Sequence, residues 1–275
     1  MPLLGMKLLN NSSTPKPINT RLMMPNRRFG RLSSCRIGMA QAQTSATLRG
    51  VSGGLRGGRP NDAKHGLMCG RFSLNTTLEE LNGRLAPWLT RIDDPWLEHY
   101  APRAQIRPGE PVLVLYREHG QERLGHMLWG LRPSWVKDPS EGPRPFNARA
   151  ESLSEKASFR GPWRHHRCLL PASAFLEKGE KVERRDGRPF WLAGLWDRWL
   201  GPDGSELDSC CIITTRPNQL LTSLHDRMPV VIPDGLEQVW LEPGDHHHRK
   251  ALEPVLEPWD GTGWRRDGER QLPLF

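Results

Sequence analysis

The chain has 275 residues, of which 36% are hydrophobic and 25% charged, proportions that support a packed globular core. No run of about 18 apolar residues occurs, which excludes a membrane-spanning helix by sequence. The net charge of +8 is unevenly placed: residues 1–67 hold 11 of the 39 Lys and Arg but one of the 31 acids, Asp62, so the other 208 residues carry 28 basic and 30 acidic side chains, a net −2. A uniformly basic nucleic-acid-binding surface is therefore excluded, and any such binding must use a local patch.

Residues 1–67 are rich in Arg, Ser, Gly and Asn and show no sustained helical or strand period. Their composition fits a transit peptide, a disordered basic arm, or an extension upstream of the true translation start at Met68. The abrupt change of texture at Met68 favours the last reading. Past it, Thr76-Thr77-Leu78-Glu79-Glu80 contains two overlapping capping boxes, and Leu78, Leu81 and Leu85 follow at helical spacing, which predicts a helix over 76–86. Short β-like runs follow at 111–116, 126–129, 167–170, 190–195, 210–215 and 230–232. Gly109, Gly142-Pro143 and Asp186-Gly187 punctuate them. Helices are expected at 234–241 and 247–256, and the polar stretch 260–270 reads as a tail. Many short strands with few helices predict an α+β fold, a single domain on a curved, barrel-like, mostly antiparallel sheet with peripheral helices. The expected organisation is an extension over 1–67, a catalytic domain over 68–258 and a flexible tail over 259–275.

Five cysteines, Cys35, Cys69, Cys168, Cys210 and Cys211, are odd in number and form no CxxC pair, which speaks against a disulfide framework or a structural zinc site and for a reducing cytoplasm. In Met68-Cys69-Gly70-Arg71-Phe72, removal of Met68 by an aminopeptidase would make Cys69 N-terminal. A thiol and an α-amine on adjacent carbons, with pKa values of about 8.5 and 8, can trap an aldehyde: the amine forms a Schiff base and the thiol closes a thiazolidine ring. A lone cysteine is otherwise ordinarily a buried core residue. Asn147 and Arg149 in Pro145–Glu151 offer an amide and a guanidinium fork suited to phosphate, or mark an exposed loop. Glu177 ends an apolar strand, where a carboxyl can exchange protons, or is a surface partner of Lys178. His225 in Leu224–Pro229 is an acid-base candidate that Asp226 or Arg227 could orient, or a capping histidine. His246-His247-His248 and His165-His166-Arg167-Cys168 read as solvated stretches, because consecutive side chains diverge and one metal rarely takes them all. No metal and no cofactor is implied.

Taken in order, seven motifs form a specific series: Met68–Phe72, Trp129-Gly130-Leu131-Arg132-Pro133-Ser134-Trp135, Asn147-Ala148-Arg149-Ala150-Glu151, Phe175-Leu176-Glu177, Ala193-Gly194-Leu195-Trp196, Ile213-Thr214-Thr215 and His225-Asp226-Arg227-Met228-Pro229. Over about residues 68–245 this series resembles the SOS response-associated peptidase (SRAP) family of abasic-site processing proteins. The resemblance implies a DNA-damage protein that senses abasic sites in single-stranded DNA and crosslinks to them through N-terminal Cys69. In it, Asn147 orients the linkage, Glu177 assists proton transfer and His225 helps open the sugar or release the crosslink. Arg71 and Arg149 would contact phosphate and Trp135 would wedge against bases. The family's Tyr-Asn-Ile-Ala-Pro stretch is replaced by Ala104-Gln105-Ile106-Arg107-Pro108, which keeps Ile106 and Pro108, the latter expected on the DNA-binding face. The aromatic pair flanking the family's Glu is replaced by Leu176 and Lys178, and Val136 stands where a second Trp is usual, which alters the expected shape of the DNA groove.

Two other readings remain: a cysteine peptidase acting mainly in self-processing, and a non-covalent single-strand-binding module. The expected partner is single-stranded DNA bearing abasic sites, with the protein a monomer, free of the membrane, in the cytoplasm at the nucleoid. The last five residues resemble the peptide by which bacterial repair proteins dock on the replication sliding clamp, with Gln271 at a pocket edge and Leu272, Leu274 and Phe275 as apolar anchors. Chance, or a tail that folds back on the domain, is the alternative.

Overall fold

Apolar runs bounded by Gly- and Asp-containing turns become the strands of two sheets in the computed structural model, which describes residues 70–89, 100–138 and 140–267. In chain order these are β1 (Phe72–Leu74), helix α1 (Leu78–Leu89), β2 (Arg103–Ile106), β3 (Pro111–Glu118), β4 (Gln121–Trp129) and β5 (Asn147–Arg149), followed by α2 (Ala157–His165). Then come β6 (Arg167–Ala172), β7 (Ala174–Glu177), β8 (Glu180–Arg184), β9 (Phe190–Leu200), β10 (Glu206–Thr215), β11 (Met228–Pro229) and β12 (Val231–Ile232). Three short helices, α3 (Glu237–Leu241), α4 (His246–Ala251) and α5 (Glu253–Leu256), precede β13 (Trp264–Arg266).

The larger sheet closes on itself. β10 pairs with β4, β4 with β3, β3 with β6, β6 with β9, and β9 again with β10, giving a five-strand barrel. Every antiparallel pair reverses strand direction, so a ring with an odd number of strands needs at least one parallel pair. Here that pair is β10–β4. Two edges of the same sheet are extended by β5, β11 and β12. The second sheet is an open antiparallel layer in the order β13, β8, β7, β1, β2. The α+β, barrel-like fold expected from the sequence is the one observed.

The chain passes between the sheets at Ser173, the single residue separating β6 from β7. Its amide donates to the Ser73 carbonyl (2.7 Å), and its hydroxyl accepts from the Asn75 amide (2.9 Å). Phe72 of the second sheet meets Trp129 of the barrel edge-on at 5.1 Å, so one core runs through both layers.

Of the two possible capping boxes, the structure uses Thr77 and Glu80. The Glu80 amide donates to Thr77 Oγ1 (3.2 Å), and the Thr77 amide donates to the Glu80 carboxylate (2.9 Å). α1 then buries Leu81, Leu85 and Trp88 and continues through Pro87, past its expected end. The helix expected over 247–256 is two, α4 and α5, with Asp245 capping the first through the His248 amide and Pro254 starting the second. The 260–270 stretch, expected to be a polar tail, contributes β13. Trp264 is buried against Phe190 and Trp259, with ring centroids 4.7 and 4.3 Å away, and the strand pairs with β8 along Trp264–Arg266. Among the described residues no helix is long and apolar enough to cross a membrane.

Candidate functional site

Strand β10 organises the site. Along Glu206–Ile212 it runs beside β9, and at Ser209 and Cys210 beside β4. Beyond Ile212 both neighbours are replaced: β5 pairs at Ile212–Thr214 and β11 at Thr214 and Thr215. The barrel thus opens at the C-terminal end of β10, and the segments carrying Asn147 and His225 enter there on opposite edges.

Asn147 opens β5. The preceding carbonyl of Phe146 accepts from Trp129 Nε1 (2.8 Å) and from the Ile212 amide (3.0 Å), which fixes the backbone from which the half-buried Asn147 side chain projects. The exposed Arg149 lies two residues on, pointing to the same face of the strand. A groove of about 530 Å³ runs beside them, lined by Arg144, Pro145, Asn147, Arg149, Lys156 and Phe159 among others. It has three cations and no carboxylate in its lining, a local basic patch within residues 68–275, whose net charge is −2. Arg144 and Lys156 were not singled out by sequence, because each lies in a polar stretch with no motif, and only the approach of α2 to β5 brings them together.

Glu177 is the last residue of β7 and 5% exposed. Its position follows from the hairpin: β7 and β8 are joined by Lys178 and Gly179, both at positive φ (47° and 90°), the two-residue turn that matches strand twist. Opposite it, β1 runs antiparallel, Phe72 facing Phe175, and the Leu176 amide donates to the Arg71 carbonyl (2.9 Å). Gly70 and the half-buried Arg71 therefore lead toward the Glu177 end of β7. Cys69 lies outside the described residues, as do Gln271, Leu272, Leu274 and Phe275.

His225 precedes β11, its amide donating to the Leu221 carbonyl (3.0 Å). Its Nε2 faces Glu177 Oε1 at 4.0 Å, about 1 Å longer than a direct hydrogen bond. Its Nδ1 has two suitors, the Arg227 amide at 3.0 Å and the exposed Asp226 carboxylate at 2.7 Å. A ring nitrogen serves one at a time: unprotonated, it accepts from the amide, and protonated, it donates to the carboxylate. The structure thus brings Glu177 and His225 together and sets Asn147 and Arg149 across β10 from them. Trp135 is 57% exposed and Pro108 half-buried in the β2–β3 turn, and neither lines the groove.

An ion pair that the sequence does not reveal ties the two edges together. Both terminal guanidinium nitrogens of Arg227 donate to the carboxylate of Glu151, at 2.7 and 2.8 Å, and one also donates to the Thr214 carbonyl at 2.6 Å. Glu151 closes the Asn147 motif and Arg227 follows His225, but opposite charges 76 residues apart pair on paper with many partners.

Residues 68–266 match the family model of the SOS response associated peptidase (SRAP). The chain is 36% identical over 203 residues to the abasic site processing protein YoqW of Bacillus subtilis (strain 168), covering 70% of this chain and 88% of that protein. It is 29% identical over 182 residues to the abasic site processing protein YedK of Escherichia coli (strain K12), covering 63% and 79%. Among solved structures, a protein from Bacteroides thetaiotaomicron shares the fold with a TM-score of 0.58 at 24% identity, over 72% of this chain and 90% of that one. With its family model covering both sheets and every strand described above, the chain belongs to the SRAP family.

Proposed function

We propose that this protein senses abasic sites in single-stranded DNA and bonds to them covalently through Cys69, freed as the N-terminal residue. A role at abasic sites is supported by its relatives, several of which are named abasic site processing proteins. The observation that carries the finer reading is the buried carboxylate of Glu177 facing the His225 imidazole at 4.0 Å, at the strand end toward which Gly70 and Arg71 lead. Cys69 is one peptide unit from Gly70, about 3.8 Å between Cα atoms.

The ring-opened sugar presents an aldehyde at C1′. The α-amine of Cys69 adds to it, and loss of one water leaves a Schiff base. The thiol then adds across the C=N bond, its proton passing to nitrogen, and closes the five-membered thiazolidine. Water loss needs an acid and thiol addition a base, roles that Glu177 and His225 can share, while Asn147 orients the adduct. Arg71 and Arg149, joined by Arg144 and Lys156, hold phosphates, and exposed Trp135 and half-buried Pro108 border the strand's path. No cofactor or metal enters this chemistry.

Incubation with a single-stranded oligonucleotide bearing one abasic site tests it. A heat-stable adduct on a denaturing gel is expected with the wild type and not with Cys69→Ala, and an adduct with that variant overturns the reading. A carboxylate–imidazole pair also suits a cysteine peptidase, the second reading, in which Cys69 acts as nucleophile in self-processing. That chemistry needs no free α-amine, so blocking the amine separates the two. For the tail we propose docking on the replication sliding clamp through Gln271, Leu272, Leu274 and Phe275. Deletion of residues 271–275 should abolish clamp binding in a polarisation titration, and unchanged binding would remove the idea.

A further inference from the structure

Asp226 and the Arg227 amide compete for one atom, His225 Nδ1, and the outcome decides where the imidazole proton points. If Nδ1 accepts from the amide, the neutral ring carries its proton on Nε2, toward Glu177. If Nδ1 is protonated toward Asp226, Nε2 turns a bare lone pair to Glu177. Asp226 has a 77% exposed side chain that water can solvate, whereas the Arg227 amide belongs to a buried residue. The same residue is anchored at its other end, and the chain beyond it pairs with β10 at Met228 and Pro229. The Arg227 guanidinium is fixed at three points, both oxygens of Glu151, on the segment that also bears Asn147 and Arg149, and the Thr214 carbonyl of β10.

We infer that Glu151 is a positioning residue: by clamping Arg227 it holds the Arg227 amide on His225 Nδ1 and sets the Nε2–H tautomer that faces Glu177. Glu151 makes no claim on the reacting atoms and acts through Arg227. The Arg227 guanidinium also holds the Glu151 carboxyl below the usual carboxylate range, so the clamp stays charged near neutral pH. The contribution of this tautomer to crosslinking rests on the function proposed above. The tautomer itself does not, which allows the two to be tested apart.

Long-range ¹H–¹⁵N correlation of the full-length protein reads the tautomer directly, with His225 assigned by the signal that disappears in His225→Ala. The wild type is expected to show Nε2–H at pH values where the ring is neutral. Glu151→Gln, nearly isosteric, should move the population toward Nδ1–H and slow crosslinking at least about tenfold, while the Kd for single-stranded DNA changes by less than about twofold. The double variant Glu151→Gln/Asp226→Ala removes the competitor and should restore Nε2–H. A wild-type ring already protonated on Nδ1, or a Glu151→Gln variant whose tautomer is unchanged, overturns the inference. A variant that loses thermal stability but keeps the tautomer assigns Glu151 a merely structural role and overturns it equally. If the tautomer shifts as expected while the wild type forms no adduct, the positioning role stands and the proposed function falls.

Discussion

Glu177 and His225 are polar side chains drawn into a nearly buried site, 5% exposed in one case and with an 11% exposed side chain in the other. Burial of such groups costs free energy that polar partners must offset, and His225 has the Arg227 amide and the Asp226 carboxylate at Nδ1. Glu177→Gln and His225→Ala should each slow adduct formation or its reversal, within the roughly 10²–10⁴-fold range of general acid–base assistance, while the circular dichroism spectrum stays that of the wild type. Unchanged rates in both would refute the proton-transfer roles. Cys69→Ser keeps the amine, so it should give a Schiff base that borohydride traps but no stable ring. At this scale the sequence was informative about candidates and about the neighbours of His225, Asp226 and Arg227, which both meet its Nδ1, and silent about partners distant in the chain. Glu177 was visible as the polar end of an apolar run and His225 as a lone imidazole, yet their approach across two different sheets depends on the fold. The pairing of Arg227 with Glu151 depends on it too.

Strands β9 and β10 carry both the barrel and the site, so packing between them limits what can change. Gly194 in β9 has no room for a side chain: a Cβ there would lie 2.5 Å from Leu170 Cδ1, 2.9 Å from Cys168 Sγ and 3.0 Å from the Cys211 carbonyl oxygen. Gly194→Ala should therefore destabilise the fold by about 1–3 kcal/mol through overpacking, read as a lower urea midpoint with an unchanged slope. The groove beside β5 gives a second expectation at this scale. Arg144→Ala, Arg149→Ala and Lys156→Ala should each lower the log–log salt dependence of DNA binding by about one unit for each phosphate no longer neutralised. A wild-type slope in all three would mean that the groove does not follow the backbone. Helix α2 shows why elements were missed. Gly161-Pro162 reads as a turn, and the helix lacks a side-chain N-cap bond, but Phe159 and Trp163, one turn apart, are buried and hold it. The long strands, with their continuous apolar runs, were legible, and β8, a polar strand of five residues, was not.

At the scale of the whole molecule, three free thiols among the described residues, Cys168, Cys210 and Cys211, are enclosed in one core. Burial pushes the Cys211 thiol up to about 12 from an ordinary 9.0 and raises the other two as well. A raised folded-state value means that the thiols stabilise the fold fully below about pH 9 and lose that contribution as pH climbs toward the folded values. Each should subtract about 1.4 kcal/mol per pH unit across that window. Urea midpoints should fall steeply above pH 9, and iodoacetamide should leave all three unmodified at neutral pH until the protein unfolds. The intact mass of protein expressed from its own gene should correspond to a chain beginning at Cys69, and a dominant species retaining residues 1–67 that still crosslinks would defeat the proposed chemistry. The sequence by itself determined the barrel-like α+β fold, because alternating apolar runs must bury a face and turn residues fix where they stop. Its ordered motifs also indicated the family to which the chain belongs. Only the tertiary structure decided the rest. Closure of five strands through one parallel pair, the opening at the end of β10, the cationic groove and the clamp of Glu151 on Arg227 all arise from the meeting of residues far apart in the chain. Such meetings depend on distance in space, and a one-dimensional pattern of hydrophobicity and charge does not contain it.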